Sequence, residues 1–417
     1  MVGTTPSKWI DGKTYNYLVS DVKIIDLSDR KLKPHDAPRA NALKKLQFFL
    51  FIICLFYKKF VYCIDNQYNK QMKTTNKLKT IFSNVDDFRR SHRKKYELES
   101  ILLIGIISVI CGAENWNEME SYARSKEEFL RSFLDLPNGI PSHDTFNRVF
   151  SNIDSEQFET CFVEWVSNLA ELQPREIIAI DGKTIRGAKA SGKKSPVHMV
   201  SAWASENNLV LGQVKVSEKS NEIKAIPKLL DVLSLDNTIV SIDAMGCQKN
   251  IAQKIIENKA DYILAVKGNQ PQLLENIKDE FRFSKQTKID INEDIGHGRI
   301  ETRICSVITD FQFIDNDNND WKNLKSIIKI ESKREFKNSD KPIENSVRYY
   351  ISSVDAEAKD FQKAIRSHWG IENKLHWMLD VSFSEDASIK RAKNASQNFS
   401  LLNKISLNSL KQEKVVK

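Results

Sequence analysis

Residues 177–181 read IIAID and residues 238–244 read TIVSIDA. Each is a short apolar run, rich in β-branched residues, that stops at an aspartate: Asp181 in the first, Asp243 in the second. Runs of this kind suit strands buried on both faces, where no polar alternation survives. Around them the period keeps switching. VHMVSAWA (197–204) and LVLGQVKV (209–216) read as strands, EIKAIPKLLDVL (222–233) as a helix, QKNIAQKIIENK (248–259) as another helix, and DYILAVKG (261–268) as a strand.

The order is therefore β-β-β-α-β-α-β. Three strands able to pair as an antiparallel meander, followed by strands alternating with helices, is the order of a ribonuclease H-like domain. The expected fold class is α/β, a ribonuclease H-like mixed sheet whose first and fourth strands are neighbours. Residues 173–280 are its first part. Residues 281–355 are a β-rich insertion containing RIETRICSVI (299–308) and RYYISS (348–353), and residues 356–417 complete the core with helices.

Upstream, residues 72–172 read as a helical domain. YELESILLIGIISVICGA (96–113) is apolar enough to require burial, and NEMESYARSKEEFLRSFL (117–134) repeats apolar residues at three- and four-residue spacing. In SHDTFNRVFSNI (142–153), Ser142 is placed to cap a helix exposing His143, Asn147 and Arg148. That helix resembles the second helix of a helix-turn-helix. It reads either as a DNA contact through Asn147 and Arg148 or as a capped surface helix. Residues 1–71 form an atypical extension; their stretch QFFLFIICLFYKKFVYC (47–63) shows no clear period, and Phe48–Tyr57 is about half the length a spanning helix needs. No membrane association is expected.

Composition narrows the partners. A chain of 417 residues, 41% hydrophobic and 28% charged, has material for a large core, and its net charge of +8 favours a polyanion. Six scattered cysteines without CxxC pairs suit a reduced, cytoplasmic protein rather than a zinc module.

Asp181 and Asp243, at the ends of neighbouring strands, would lie a few ångströms apart, where their repulsion is unfavourable unless divalent cations offset it. A pair of magnesium ions suits phosphodiester cleavage: one activates the attacking oxygen, the other stabilises the leaving oxygen. The helix AKDFQKAIRSHWGIENKLHWMLD (358–380) supplies a third acid, Glu372, with His368 and His376 one turn away on the same face.

These residues carry a resemblance. IAIDGKTIRGA around Asp181, VSEKSNEIKAIPKLL, TIVSIDAMGCQKNIAQKI around Asp243, DYILAVKGNQ, GHGRIETR, and RSHWGIENKLHWMLDVSFSEDA around Glu372 resemble the transposases of H-repeat-associated insertion sequences, a branch of the DDE transposases. The match covers most of residues 80–410. It implies a catalytic and metal-holding triad of Asp181, Asp243 and Glu372. It implies two Mg2+ ions, with Mn2+ able to substitute, and DNA as substrate: element terminal repeats and target DNA. It also implies a mechanism in which a metal-bound water cleaves one strand and the 3′ hydroxyl left behind attacks the target. Synapsis of two ends implies a homodimer, and the substrate implies association with the nucleoid.

Several neighbours acquire expectations from this. Lys183, Arg186 and Lys267 either hold phosphates near the triad or are solvated turn residues. His297, Arg299 and Arg303 either contact DNA or, for the arginines, pair with Glu301. His368 stands one turn before Glu372, where related groups carry an arginine and a tyrosine, and is a further candidate DNA contact. Ser220 or Asn221 is explained as a helix cap, and Trp369 and Trp377 as core packing. Asp380, Glu385 and Asp386 are rival third acids. The competing reading is a degenerate, non-catalytic DNA-binding relic.

Overall fold

The computed structural model describes residues 8–10, 13–15, 78–188, 196–217, 221–284, 287–296, 298–314, 320–337 and 341–412. The chain divides into two compact units, Met1–Tyr62 and Cys63–Lys417. In the first, Lys8–Ile10 pairs antiparallel with Lys13–Tyr15; the apolar stretch 48–57 lies outside the described residues.

The second unit is built on a nine-stranded mixed sheet. In chain order its strands are β1 (Ile177–Ile185), β2 (Val197–Ala204), β3 (Leu209–Lys215), β4 (Ile239–Ile242), β5 (Asp261–Val266), β6 (Lys288–Gly296), β7 (Arg299–Ile308), β8 (Ser326–Phe336) and β9 (Glu344–Ser352). Across the sheet the order is β3-β2-β1-β4-β5-β9-β8-β7-β6. β1, β2 and β3 pair antiparallel, β4 runs parallel to β1, and β5 runs parallel to β4. The insertion strands do not form a separate layer. β9 pairs antiparallel with β5, so β6–β9 prolong the same sheet.

Alternate residues of β1, β4 and β5 enter two different cores, which is why these strands show no polar alternation. Ile178, Ile180, Val240, Ile242 and Leu264 join one cluster. Ile177, Ile239 and Ile263 join the other, with Phe361, Ala364 and Ile365 of α9 (Ala358–His368).

The helical region comprises α1 (Leu98–Ile110), α2 (Trp116–Ser125), α3 (Glu127–Arg131), α4 (His143–Asn152) and α5 (Ser155–Ser167). It shares the first cluster with the sheet and has no core of its own. α6 (Glu222–Val232), α7 (Lys249–Glu257) and α8 (Pro271–Phe283) connect strands, and α10 (Trp377–Ser382) and α11 (Ala395–Gln412) end the fold. α11 is the tie between the two regions. Its sequence is polar, yet Asn398, Ser400, Asn403, Lys404 and Asn408 are buried. Most of these find partners inside: Asn398 Nδ2 donates to the Phe150 carbonyl of α4, and Asn408 exchanges hydrogen bonds with both backbone groups of Val210 in β3. Those last two bonds serve the edge strand where its pairing with β2 shifts register at Ala202/Trp203.

A buried acid also secures the loop after β7. Glu280 of α8 is fully buried, and its Oε1 accepts the backbone N–H groups of Gln312 at 2.5 Å, Ile314 at 3.2 Å and Phe313. Glu280→Ala leaves these donors unsatisfied and is expected to lower stability by about 3 kcal/mol, read from the urea midpoint; a loss below about 1 kcal/mol would mean the loop finds other acceptors.

Among the described residues no helix is long and apolar enough to cross a membrane. Cys111, Cys161, Cys247 and Cys305 are all free thiols.

Candidate active site

The parallel register pairs Ile180 of β1 with Ile242 of β4, so Asp181 and Asp243 follow matched positions on neighbouring strands. Strand spacing then sets their separation. Asp243 caps the turn Ala244–Gly246, accepting the Met245 N–H at 3.0 Å. Two side chains that the sequence reading passed over hold that turn from the end of β5. Asn269 Nδ2 donates to the Ala244 carbonyl at 2.5 Å and Gln270 Nε2 to the Cys247 carbonyl at 2.9 Å. Both lie in the GNQ that follows Lys267, within a matched stretch.

The third acid arrives on the helix that begins as α9. Ala364 and Ile365 belong to the second hydrophobic cluster, whereas Ile371, Leu375 and Leu379 belong to the first. The helix thus passes from one core to the other. Between the two it contains a π-turn, Glu372–His376, with one residue more per turn than α-helix. Turns of this kind recur at functional sites.

Asp181 registers the convergence. Burial first, opposed by the Gly182 N–H, and then the charges of Asp243, Glu222 and Glu372 raise its carboxyl from 3.8 to about 7. His376 Nδ1 stands 3.5 Å from Asp181 Oδ2. Burial, aided by Lys404 and Lys183, lowers its imidazole to about 4, so it is neutral at physiological pH. His368 is 9% exposed, and burial lowers its pKa against the pull of Asp243 and the Ser241 backbone. The rival acids meet Lys183, two residues past Asp181: its Nζ lies 2.6 Å from Asp380, 3.0 Å from Asp386 and 3.3 Å from Glu385.

That network also reassigns Lys183. Its side chain is 10% exposed, and although burial lowers its pKa, Glu385, Asp380 and Asp386 more than reverse this. Read as a phosphate contact or a solvated turn residue, it is neither solvated nor in a turn: from within β1 it joins residues 380–386. Arg303 and Arg299 stand 2.7 and 3.9 Å from Glu301, which Arg334 also reaches at 3.2 Å, and Arg299 remains 41% exposed. Arg186 is 84% exposed and touches only Asp386 among described carboxylates, at 3.5 Å. Lys267 is exposed, as are Asn147 and Arg148 on α4, where Ser142 caps the helix through the Thr145 N–H. His297 and Ser220 lie outside the described residues; Asn221 occupies the N-cap position of α6. Trp369 and Trp377 are not core residues. They are 37% and 57% exposed, with Arg348 stacked 4.8 Å from the Trp369 ring.

The donors fit hard divalent cations: carboxylate oxygens of like charge beside a neutral imidazole. No three histidine, cysteine, aspartate or glutamate side chains among the described residues already close into a ligand group. Without cations, ionising Asp181 costs the fold up to about 4 kcal/mol. The sign follows from the raised pKa: the loss begins as pH rises above the unfolded value and is complete above the folded one. Cation-free Asp181→Asn is therefore expected to be about 2 to 4 kcal/mol more stable than wild type at pH 8, with the gap closing near pH 4. Thermal unfolding at the two pH values checks this, and equal stability at pH 8 would show that the acids do not crowd.

Comparison with known proteins bears on this arrangement. The family described as "Transposase DDE domain" matches residues 172–409, and the one described as "DDE_Tnp_1-associated" matches residues 79–166. "Putative transposase YncI" of Escherichia coli O157:H7 is 47% identical over 345 residues, 80% of this chain and 87% of that protein. "H repeat-associated putative transposase YhhI" of Escherichia coli strain K12 is 39% identical over 353 residues, 82% of this chain and 92% of that protein. Among solved structures, the piggyBac transposase synaptic complex with hairpin DNA covers 83% of this chain and 73% of its own. At a TM-score of 0.37 and 12% identity, that likeness is too loose to carry an argument. With more than half its length matched by the domain, and with relatives of this similarity, the chain belongs to the DDE transposase family of the H-repeat-associated elements.

Proposed function

We propose that the protein cleaves DNA at the ends of its insertion sequence and joins the freed 3′ hydroxyl to target DNA, with Asp181, Asp243 and Glu372 as the acids of a ribonuclease H-like core. One observation carries this reading. Asp181 and Asp243 both follow the last parallel pair, Ile180 with Ile242, Asp243 just past its strand and Asp181 within β1, which runs on to Ile185 rather than closing at the aspartate, and the charge of Glu372 bears on Asp181 from a third element. The order β3-β2-β1-β4-β5 supports the ribonuclease H-like assignment.

Two magnesium ions, replaceable by manganese, are the cations we assign; when bound they neutralise charge at the transferred phosphate and activate the attacking oxygen. The chain's own residues fix the geometry. Asn269 and Gln270 hold the turn after Asp243. Lys183 fastens residues 380–386, and through them the helix of Glu372, to the strand of Asp181. His376 fills space beside Asp181 without a positive charge to compete with a cation.

Asn147, Arg148, Arg186 and Lys267 are the exposed groups we assign to DNA. Lys183, Arg299, Arg303 and His368 are assigned to internal structure. Two element ends require two active sites, so the working form is a homodimer on the chromosome in the cytoplasm.

The test is magnesium-dependent nicking of a labelled duplex carrying the element's ends, with wild type and Asp243→Asn side by side. Nicking at the element boundary by wild type alone supports the transposase. Binding without nicking by both makes the protein a DNA-binding relic.

A further inference from the structure

The two edges of the nine-stranded sheet are finished differently. At one, β3 is tied to α11, where Asn408 accepts from the Val210 N–H and donates to the Val210 carbonyl. At the other lies β6, which among the described strands pairs only with β7. Proteins blunt such an edge with a proline, a bulge, lysines along its length or a very short strand. β6 has none of these. It reads KIDINEDIG, nine residues with the one lysine at the first position, and its register runs unbroken from Lys288 opposite Val307 to Gly296 opposite Arg299.

The two faces of β6 also differ. Asp290 accepts a hydrogen bond from Gln362 and Asp294 one from Arg366 at 2.8 Å, so the even-numbered residues complete the contact with α9. Ile289, Ile291 and Ile295 belong to the other face and are 60%, 65% and 61% exposed. Beside them on β7, Ile304 stands opposite Ile291 and Ile300 opposite Ile295, both half-buried. Val347 of β9, in the same row as Ile291 and Ile304, is 50% exposed. An apolar face of this extent marks an interaction surface.

Charge decides what kind of partner it fits. β6 carries Asp290, Glu293 and Asp294 against Lys288, in a chain whose net charge is +8. On β8, Lys329 pairs with Glu331 at 2.9 Å and Lys333 with Glu335 at 2.6 Å, which leaves that part of the face neutral. An acidic, apolar edge repels a phosphate backbone and accepts another strand. The sequence of β6 is its own complement. When two copies run antiparallel about Asn292, Ile289 of each stands opposite Ile295 of the other, and two-fold symmetry makes the pair twice. Ile291 then lies diagonal to the partner's Ile295. Asp290 faces the partner's Asp294, whose charge Arg366 already holds. A shift of two residues one way sets Glu293 against its own copy, and the other way leaves Ile295 without an apolar neighbour. A shift of one residue mismatches the faces.

We propose that β6 is a dimer edge: two copies of the chain pair antiparallel through it, centred on Asn292, and their sheets become continuous. This gives the homodimer proposed above its surface, and rests on that reading only for the presence of a second copy.

Directly opposed residues of an antiparallel pair have Cα atoms about 4.5 to 5.5 Å apart, within the span of a disulfide. Asn292→Cys is therefore expected to link two full-length chains under mild oxidation, seen on a non-reducing gel. Wild type, with its natural cysteines, and Glu335→Cys, two strands inward on β8, are expected to stay unlinked. Ile295→Lys changes an exposed side chain and is expected to weaken self-association in sedimentation about tenfold or more. If wild type is dimeric while Asn292→Cys stays unlinked and Ile295→Lys associates as wild type does, the β6 edge is overturned and the homodimer stands on another surface. If wild type is a monomer both free and on element-end DNA, both fall. Linking of Glu335→Cys to the same extent as Asn292→Cys would mean random collision and overturns the pairing. None of these results bears on the three acids, which the nicking assay decides.

Discussion

Asp243→Asn is expected to lower DNA cleavage by about 1000-fold or more while leaving DNA affinity within about twofold of wild type. The magnitude follows from the position of the acid. It ends a buried strand beside Asp181 and caps its own turn, so the amide keeps the cap acceptor and loses the charge. A group that stabilises charge on the transferred phosphate supplies several kcal/mol, and about 1.4 kcal/mol is tenfold in rate. Asp181→Asn and Glu372→Gln are expected to behave alike. Single-turnover nicking and gel-shift titration separate the two quantities, and retained cutting in any one variant removes that residue from the triad.

Lys404→Met is expected to cost about 3 to 5 kcal/mol of stability, because it leaves a buried carboxylate short of a counter-charge. Lys404 of α11 and Glu385 are each 2% exposed, with Lys404 Nζ 3.9 Å from Glu385 Oε1 and 2.8 Å from Ser400 Oγ. Burial raises the Glu385 carboxyl, and Lys404 and Lys183 together more than reverse this, so it is held below its ordinary value. The double variant Lys404→Met with Glu385→Gln is expected to regain a large part of the loss, since no uncompensated charge remains. Urea unfolding gives both numbers; a single-variant cost below about 1 kcal/mol would show that Lys183 alone satisfies Glu385. Because Lys183 joins Glu385 to the strand of Asp181, the same variant is expected to slow cleavage as well.

The strands of the core were legible because burial on both faces removes alternation, so each reads as an uninterrupted apolar run ending at a change of chemistry. IIAID and TIVSID show this directly, and their neighbour relation followed from strand order. The region around Glu372 was less legible. Its spacing of His368, Glu372 and His376 was read on a regular α-helix, whereas the helix takes a π-turn where it passes between two cores. Local sequence does not announce that passage. Trp369 and Trp377 were read as core by residue type and lie exposed.

Partner choice was also beyond reach of local pattern. A lysine two residues past Asp181 suits a phosphate and an internal carboxylate equally; Asp386, which meets Lys183, is 203 residues further along the chain. The contact of Glu222 with His198 was hidden for a related reason: SEKSNEI reads as the cap of a helix, and the histidine lies 24 residues earlier in β2. The polar sequence of α11 likewise gave no sign of burial, because its partners belong to β3, α4 and the segment around Glu385.

The hydrogen-bonded ladder that sets Asp181 beside Asp243 has an evolutionary consequence. Their separation is fixed by two adjacent strands, not by the residues that join them. Insertions and deletions between β1 and β2, or between β3 and α6, can therefore accumulate across lineages while the distance between these two acids is inherited unchanged. The π-turn has no such freedom. Deleting one residue from Glu372–His376 would close the wide turn into regular helix and re-aim the side chains inside it, Glu372 among them. Drift in length is thus tolerated on one side of the active centre and lethal to it on the other.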